Sequence, residues 1–222
     1  MDFLEERLDG ATPERWIHDL ERPAWDQYFM GMVFLAAMRS HDQQTKQGCV
    51  IVDWATRTVL GTGFNGHPRG TVEQQLAGTP REYIAATEPL PTLRAGGIKP
   101  DGTLQRKPDK YACMVHAATN AVVNAAAGRS DNAVMYLPMP PCETCLGILA
   151  NMPFVKIRRI VYLEDRDLPN TRWLLEYLPH IRLEKYTGPN PAEVLLNAAA
   201  YVQLRLTQSQ ALSAKSATTY TS

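Results

Sequence analysis

The sequence has no excess of either charge: 23 Lys and Arg offset 23 Asp and Glu over 222 residues, with five His. Without net charge there is no general field to capture nucleic acid by counterion release, so a polynucleotide substrate would need a local basic groove. Long apolar runs are missing too. No stretch approaches the roughly 18 uninterrupted apolar residues of a membrane-spanning helix, and the longest candidate, Tyr28 to Met38, is short. Nor does a basic segment precede it. The chain opens Met1-Asp2-Phe3-Leu4-Glu5-Glu6, with acid where a secretion signal carries Lys or Arg. Four cysteines are too few for a disulfide scaffold at this length, which leaves metal ligation or burial for them. These absences together predict a cytoplasmic, reduced protein with no membrane partner. What is plentiful is apolar residue, 45% with 8% aromatic, enough for a globular chain of one domain or at most two small ones.

Punctuation and periodicity divide the chain. Residues 1–22 read as a helical extension broken at Gly10 and Pro13. Trp25 to Ser40 reads as a largely buried helix, and Gly48–Val52 and Thr58–Phe64 as two strands of a hairpin. Asn65-Gly66 opens a loop that continues through His67-Pro68-Arg69-Gly70. Residues 71–109 lose periodicity, carry Pro80, Pro89, Pro91 and Pro100, and read as an insertion that covers a site or joins an interface. Order resumes with a helix from His116 to Ala127, a strand from Ala133 to Leu137 and a helix from Cys142 to Asn151. A strand from Arg159 to Leu163, a helix from Trp173 to Leu178 and a strand from Ile181 to Tyr186 complete the alternation. Pro191 to Leu206 is a last helix, with a frayed Ser/Thr/Ala-rich end from Thr207. A hairpin followed by alternating helices and strands predicts a three-layer α/β/α domain with a mixed central sheet over 23–186. Residues 187–222 then form a C-terminal helix and tail.

The chemistry concentrates at two helix starts. Cys142 and Cys145, in Pro141-Cys-x-x-Cys, bring two sulfurs within reach of one ion. The helix N-terminus there favours their thiolate forms. His116, at another helix start, is a candidate third ligand, and zinc on three protein ligands keeps a fourth position for water. The bland alternatives are a redox Cys pair and a helix-capping histidine. No thioredoxin-like strand order precedes Cys142, which weakens the first. Cys49, inside an apolar strand, and Cys113 read as small buried hydrophobes.

His116-Ala-x-x-Asn-Ala with Pro141-Cys-x-x-Cys resembles the zinc-dependent cytidine deaminase superfamily, whose signature is H-x-E…P-C-x-x-C. Three further stretches resemble its deoxycytidylate (dCMP) deaminase branch: Phe34 to Ser40, Gly61 to Gly70, and Lys110-Tyr111. The similarity runs from about Pro23 to Tyr186. It implies a hydrolase that takes dCMP, or a 5-substituted dCMP, to the uracil or thymine nucleotide. One zinc per chain would sit on His116, Cys142 and Cys145, since residues 71–109 contain no Cys or His for a second. It also implies a homo-oligomer, a hexamer in many relatives. dCTP and dTTP effectors, carried with Mg2+, would act near Gly66, His67, Pro68 and Arg69.

The decisive departure is Ala118, where the family carries the glutamate that moves protons between water, ring N3 and the leaving ammonia. Glu143, between the two cysteines, is not expected to replace it. The intact surroundings favour a single Glu→Ala change in an otherwise competent enzyme over a natural nucleotide-binding pseudoenzyme. A deaminase of a polynucleotide such as tRNA is a further alternative, against which the neutral charge and the dCMP-type loop argue. Asn65, after a core strand, is a candidate substrate ligand through its amide, and Arg39 a candidate phosphate partner through its forked guanidinium. Val115, just before the metal histidine, joins them as a substrate-site candidate. The tyrosine that relatives often carry after the strand at 159–163 is replaced by Glu164-Asp165-Arg166-Asp167.

Overall fold

Glycine at alternate positions of one edge strand determines how the site-bearing helix docks. The computed structural model describes residues 21–40, 42, 45–68, 114–125 and 127–219, with side-chain environments through 210. Its elements are α1 (Trp25–Ala37), β1 (Gly48–Asp53), β2 (Val59–Phe64), α2 (Ala117–Ala125), β3 (Ser130–Leu137) and α3 (Glu143–Ala150). β4 (Val155–Tyr162), α4 (Pro169–Glu176), β5 (Arg182–Lys185) and α5 (Ala192–Thr219) complete them. The sheet order is β2-β1-β3-β4-β5, with β1 antiparallel to both neighbours and β3, β4 and β5 parallel. It is the mixed sheet of an α/β fold, as the sequence implied.

β1 is buried along nearly its whole length, so both its faces are covered. Cys49 and Ile51 face a core shared with Ala117, Ala121, Met135, Leu146 and Ile160, the side taken by α2 and α3. On the other face Gly48 meets α1, where an added Cβ would lie 1.9 Å from the Val33 carbonyl oxygen. Gly61 and Gly63 admit the backbone of α2 in the same way. A Cβ on Gly63 would stand 2.3 Å from both Ala117 O and Ala121 N. Asn120 Nδ2 donates to Phe64 O at 2.7 Å, and Asn124 Nδ2, one turn on, donates to Thr62 O at 2.6 Å. Two asparagines at i and i+4 on one helix face thus satisfy carbonyls of β2, the edge strand among the described residues.

The described residues fall into two compact units, one comprising 33–185 and the other 21–32 with 186–219. In the second, Gln27 Nε2 donates to Asn190 O at 3.1 Å and Tyr186 Oη to Pro189 O at 2.6 Å. Trp25 stacks on Phe29 with ring centroids 5.5 Å apart.

Several expectations are corrected. α1 ends at Ala37, short of Ser40. Gln27, Phe29, Met30, Gly31, Val33 and Ala37 are buried along it, and Trp25, Tyr28 and Leu35 are exposed. β4 begins at Val155, four residues early, since the exposed Lys156 and Arg158 alternate with buried Val155 and Ile157. α4 starts at Pro169, in the first turn where proline is tolerated. α5 continues through Thr207 to Thr219, because no Gly or Pro interrupts an alanine-containing stretch after Pro191. None of the described helices is long and apolar enough to cross a membrane. The insertion at 71–109, Cys113 and most of the N-terminal extension lie outside the described residues.

Candidate metal and nucleotide site

β2 and β3 both run toward one edge of the sheet, and the candidate residues gather where these strands end. His116 immediately precedes α2, with its carbonyl accepting from Asn120 N at 3.0 Å. Cys142 is the N-cap of α3, extended at φ −70 and ψ 166, and its carbonyl accepts from Leu146 N at 2.9 Å. The buried Thr171 of α4 donates to Pro141 O at 2.9 Å, holding the segment that presents Cys142. The Leu163 and Glu164 amides donate to Pro138 O, which ties the loop after β4 to the loop after β3. Ligand sites in open α/β sheets form in this crevice, beyond the carboxyl ends of the strands.

Three ligand atoms converge there. His116 Nδ1 lies 3.3 Å from each of the Cys142 and Cys145 sulfurs, which are 3.5 Å from one another. Tetrahedral zinc with bonds of about 2.3 Å to sulfur and 2.0–2.1 Å to nitrogen separates its ligands by roughly 3.6–3.8 Å, so these residues fit the ion with a small outward adjustment. His116 is exposed, Cys142 half-buried and Cys145 buried. Solvent therefore reaches the triad from one side, as a three-ligand site with a position for water requires.

The electrostatics suit a cation. The Cys142 thiol is drawn down to about 3, first by the Cys145 thiol hydrogen-bonded to it, then by His116. Cys145 is pushed up, being the proton-holding member of the pair and buried. His116 is raised, chiefly by its bond to Cys142, with Arg166 opposing through its positive charge. A thiolate already balanced by protons on its neighbours is a site where a metal displaces those protons. Cys49, by contrast, is fully buried with its thiol raised by desolvation, which makes it an inert core residue. Cys145→Ser is therefore expected to abolish stoichiometric zinc in metal analysis after dialysis. Cys49→Ala should keep one zinc per chain and cost about 1 kcal/mol in denaturant unfolding.

Of the other candidates, Asn65 is buried and largely committed to its own loop. Its Oδ1 accepts from Ser40 Oγ at 2.7 Å and Gln47 N at 2.8 Å, and its Nδ2 donates to Thr45 O at 2.8 Å. Among the described residues, nothing takes the second Nδ2 proton. Gly66 and Val115 exchange two backbone hydrogen bonds, of 3.1 and 2.8 Å, which clamp the Asn65 loop beside His116. Arg39 is exposed at the end of α1, His67 is half-buried, Pro68 is exposed, and Arg69 lies outside the described residues. Ala118 is 4% exposed, in the same apolar cluster as Cys145. Glu143 is exposed and accepts from Asn170 Nδ2 at 3.4 Å, directed toward α4. Sequence reasoning missed Ser40, Thr119 and Thr171. A hydroxyl leaves no pattern in a sequence when its partner is distant along the chain.

Fold and triad define a class: a mixed-sheet α/β protein with a His–Cys–Cys zinc site split between two helix starts. The chain belongs to the cytidine and deoxycytidylate deaminase family, the model of whose zinc-binding region matches residues 23–164. It is 29% identical over 185 residues to the deoxycytidylate deaminase of Schizosaccharomyces pombe, covering 83% of this chain and 49% of that one. The deoxycytidylate deaminase of Mycobacterium phage D29 is 30% identical over 147 residues, 66% of this chain and 99% of the phage protein. The human deoxycytidylate deaminase is 27% identical, with 64% and 66% covered. The chain thus spans about half the length of the yeast relative and two thirds of the human one. In fold it resembles the dCMP deaminase of cyanophage S-TIM5 solved in complex with dCMP and dUMP, at a TM-score of 0.50 and 20% identity, over 75% of this chain and all of that one.

Proposed function

We propose that this chain is a dCMP deaminase in construction, with its metal and nucleotide sites in place and its proton-transfer group absent. It holds one zinc on His116, Cys142 and Cys145 and binds dCMP or a 5-substituted dCMP. Turnover is far below that of a relative with glutamate at position 118. The observation that carries this reading is a His Nδ1–Cys–Cys triad with separations of 3.3–3.5 Å, beside a buried alanine two residues after the histidine.

Held by His116, Cys142 and Cys145, a zinc ion would supply Lewis-acid chemistry for hydrolysis of the cytosine amine. The remaining tasks fall to the chain. Asn65, held by Ser40, Gln47 and Thr45, offers its second amide proton to the sugar or phosphate. The bridge from Gly66 to Val115 keeps that donor in register with His116. Arg39 and Arg166 are the candidate phosphate partners. Arg166 is near enough for its charge to depress the basicity of His116. Ala118 has no atom that can accept a proton from water, deliver one to N3 or assist the departing ammonia.

The same reading takes 23–186 as the deaminase domain with 71–109 inserted, in a cytoplasmic homo-oligomer. Effector nucleoside triphosphates with Mg2+ would be received by the loop from Gly66 to Arg69. Calorimetry on the zinc-loaded chain tests the core of it. dCMP should bind at least tenfold more tightly than deoxycytidine, which lacks the phosphate, and than dAMP. Equal binding of all three, or a salt-dependent shift on tRNA in their place, overturns the assignment.

A further inference from the structure

We infer that Thr119 is a positioning residue for the metal: its hydroxyl donates to the Cys145 sulfur and sets how much charge that ligand presents to the ion. The inference rests on the zinc reading of the triad. The two sulfurs sit differently on α3. Cys142 stands at its N-cap, half-buried and making no side-chain cap hydrogen bond. Cys145 lies inside the helix and is buried, and its sulfur is 3.5 Å from Thr119 Oγ1. A threonine within a helix ordinarily returns its hydroxyl to a carbonyl of the preceding turn. Here it reaches from α2 to α3, joining the helix that follows His116 to the helix that carries both cysteines.

With a metal bound, Cys145 is a thiolate and carries no proton, so the hydroxyl is the donor. A hydrogen bond to a thiolate withdraws negative charge from sulfur, lowers its donation to the ion and fixes the side-chain direction. Groups behind the ligands act in this way on affinity and on the electronic character of a metal centre, typically by 10–100-fold in affinity. Thr119→Val keeps the shape and removes the donor, whereas Thr119→Ser keeps the donor and removes a methyl.

Cobalt(II) loaded in place of zinc gives a sulfur-to-metal charge-transfer band that reports on the thiolates directly. Thr119→Val should move that band to longer wavelength, as the sulfur becomes more electron-rich. Because Cys145 also loses the donor that fixes its direction and favours its thiolate over its thiol, zinc should weaken by about 10–100-fold in competition with a chromophoric chelator. Thr119→Ser should restore both. If Thr119→Val does not fold, Thr119→Ala carries the same comparison. A fully loaded Thr119→Val with the parent's band and affinity overturns the inference. So does a Thr119→Ser that behaves like the valine variant, since packing alone would then account for the change. A parent that takes up neither cobalt nor zinc refutes the metal reading itself, and this inference falls with it.

Discussion

Ala118→Glu is expected to raise the rate of dCMP deamination by about 10²–10⁴, the usual worth of one positioned acid–base group. The assay is loss of cytosine absorbance on zinc-loaded protein. The physical case is the location of Ala118 at the start of α2, two residues past a metal ligand and in one apolar cluster with Cys145. A carboxyl there is adjacent to the metal and shielded from bulk water, which places its proton affinity in the range a shuttle needs. The same burial predicts a cost. A side chain of this polarity where alanine is 4% exposed should lower thermal stability, as active-site charges commonly do. Ala118→Gln separates the two effects, since it adds the bulk and polarity without the proton transfer and should remain inactive. A glutamate variant with stoichiometric zinc that is inert on dCMP and on 5-methyl-dCMP would refute the proposed function.

Gly63→Ala is expected to be the most damaging small substitution near the site. Its Cβ would stand 2.3 Å from Ala117 O and Ala121 N, both backbone atoms of α2, so the helix must move as a body. Overpacking of this kind costs about 1–3 kcal/mol or more. Misaligned bonds from Asn120 to Phe64 and Asn124 to Thr62 add about 1 kcal/mol each. A loss near 4 kcal/mol lowers the melting temperature of a chain this size by roughly 10 °C. Because α2 begins one residue after His116, zinc affinity should fall with stability. Gly147→Ala is the control. It lies within α3 with nothing inside 4 Å of the new Cβ, so it should be neutral or stabilising by up to about 1 kcal/mol.

The triad was the most legible part of the molecule, and the reason is local geometry. Cys-x-x-Cys at a helix start brings two sulfurs together through backbone conformation alone, and a histidine heading another helix is the chemical complement. Asn65 was legible as an amide after a core strand but not in its employment, because Ser40, Thr45 and Gln47 reach it only when the chain folds back. Element types were readable from periodicity while several ends were not. Lys156 and Arg158 disguised the first half of β4, and the mostly apolar α1 did not show that Trp25, Tyr28 and Leu35 would be its exposed positions.

By itself, then, the sequence determined the metal chemistry, the α/β character and the missing carboxylate, since each is written in residue types at short spacing. Only the tertiary structure decided the rest. It set the order β2-β1-β3-β4-β5, the seating of α2 on Gly61 and Gly63, the clamp between Gly66 and Val115, and the reach of Thr119 to Cys145. These join residues far apart in the chain, and their free energy comes from packing and hydrogen bonds that exist only once the layers meet.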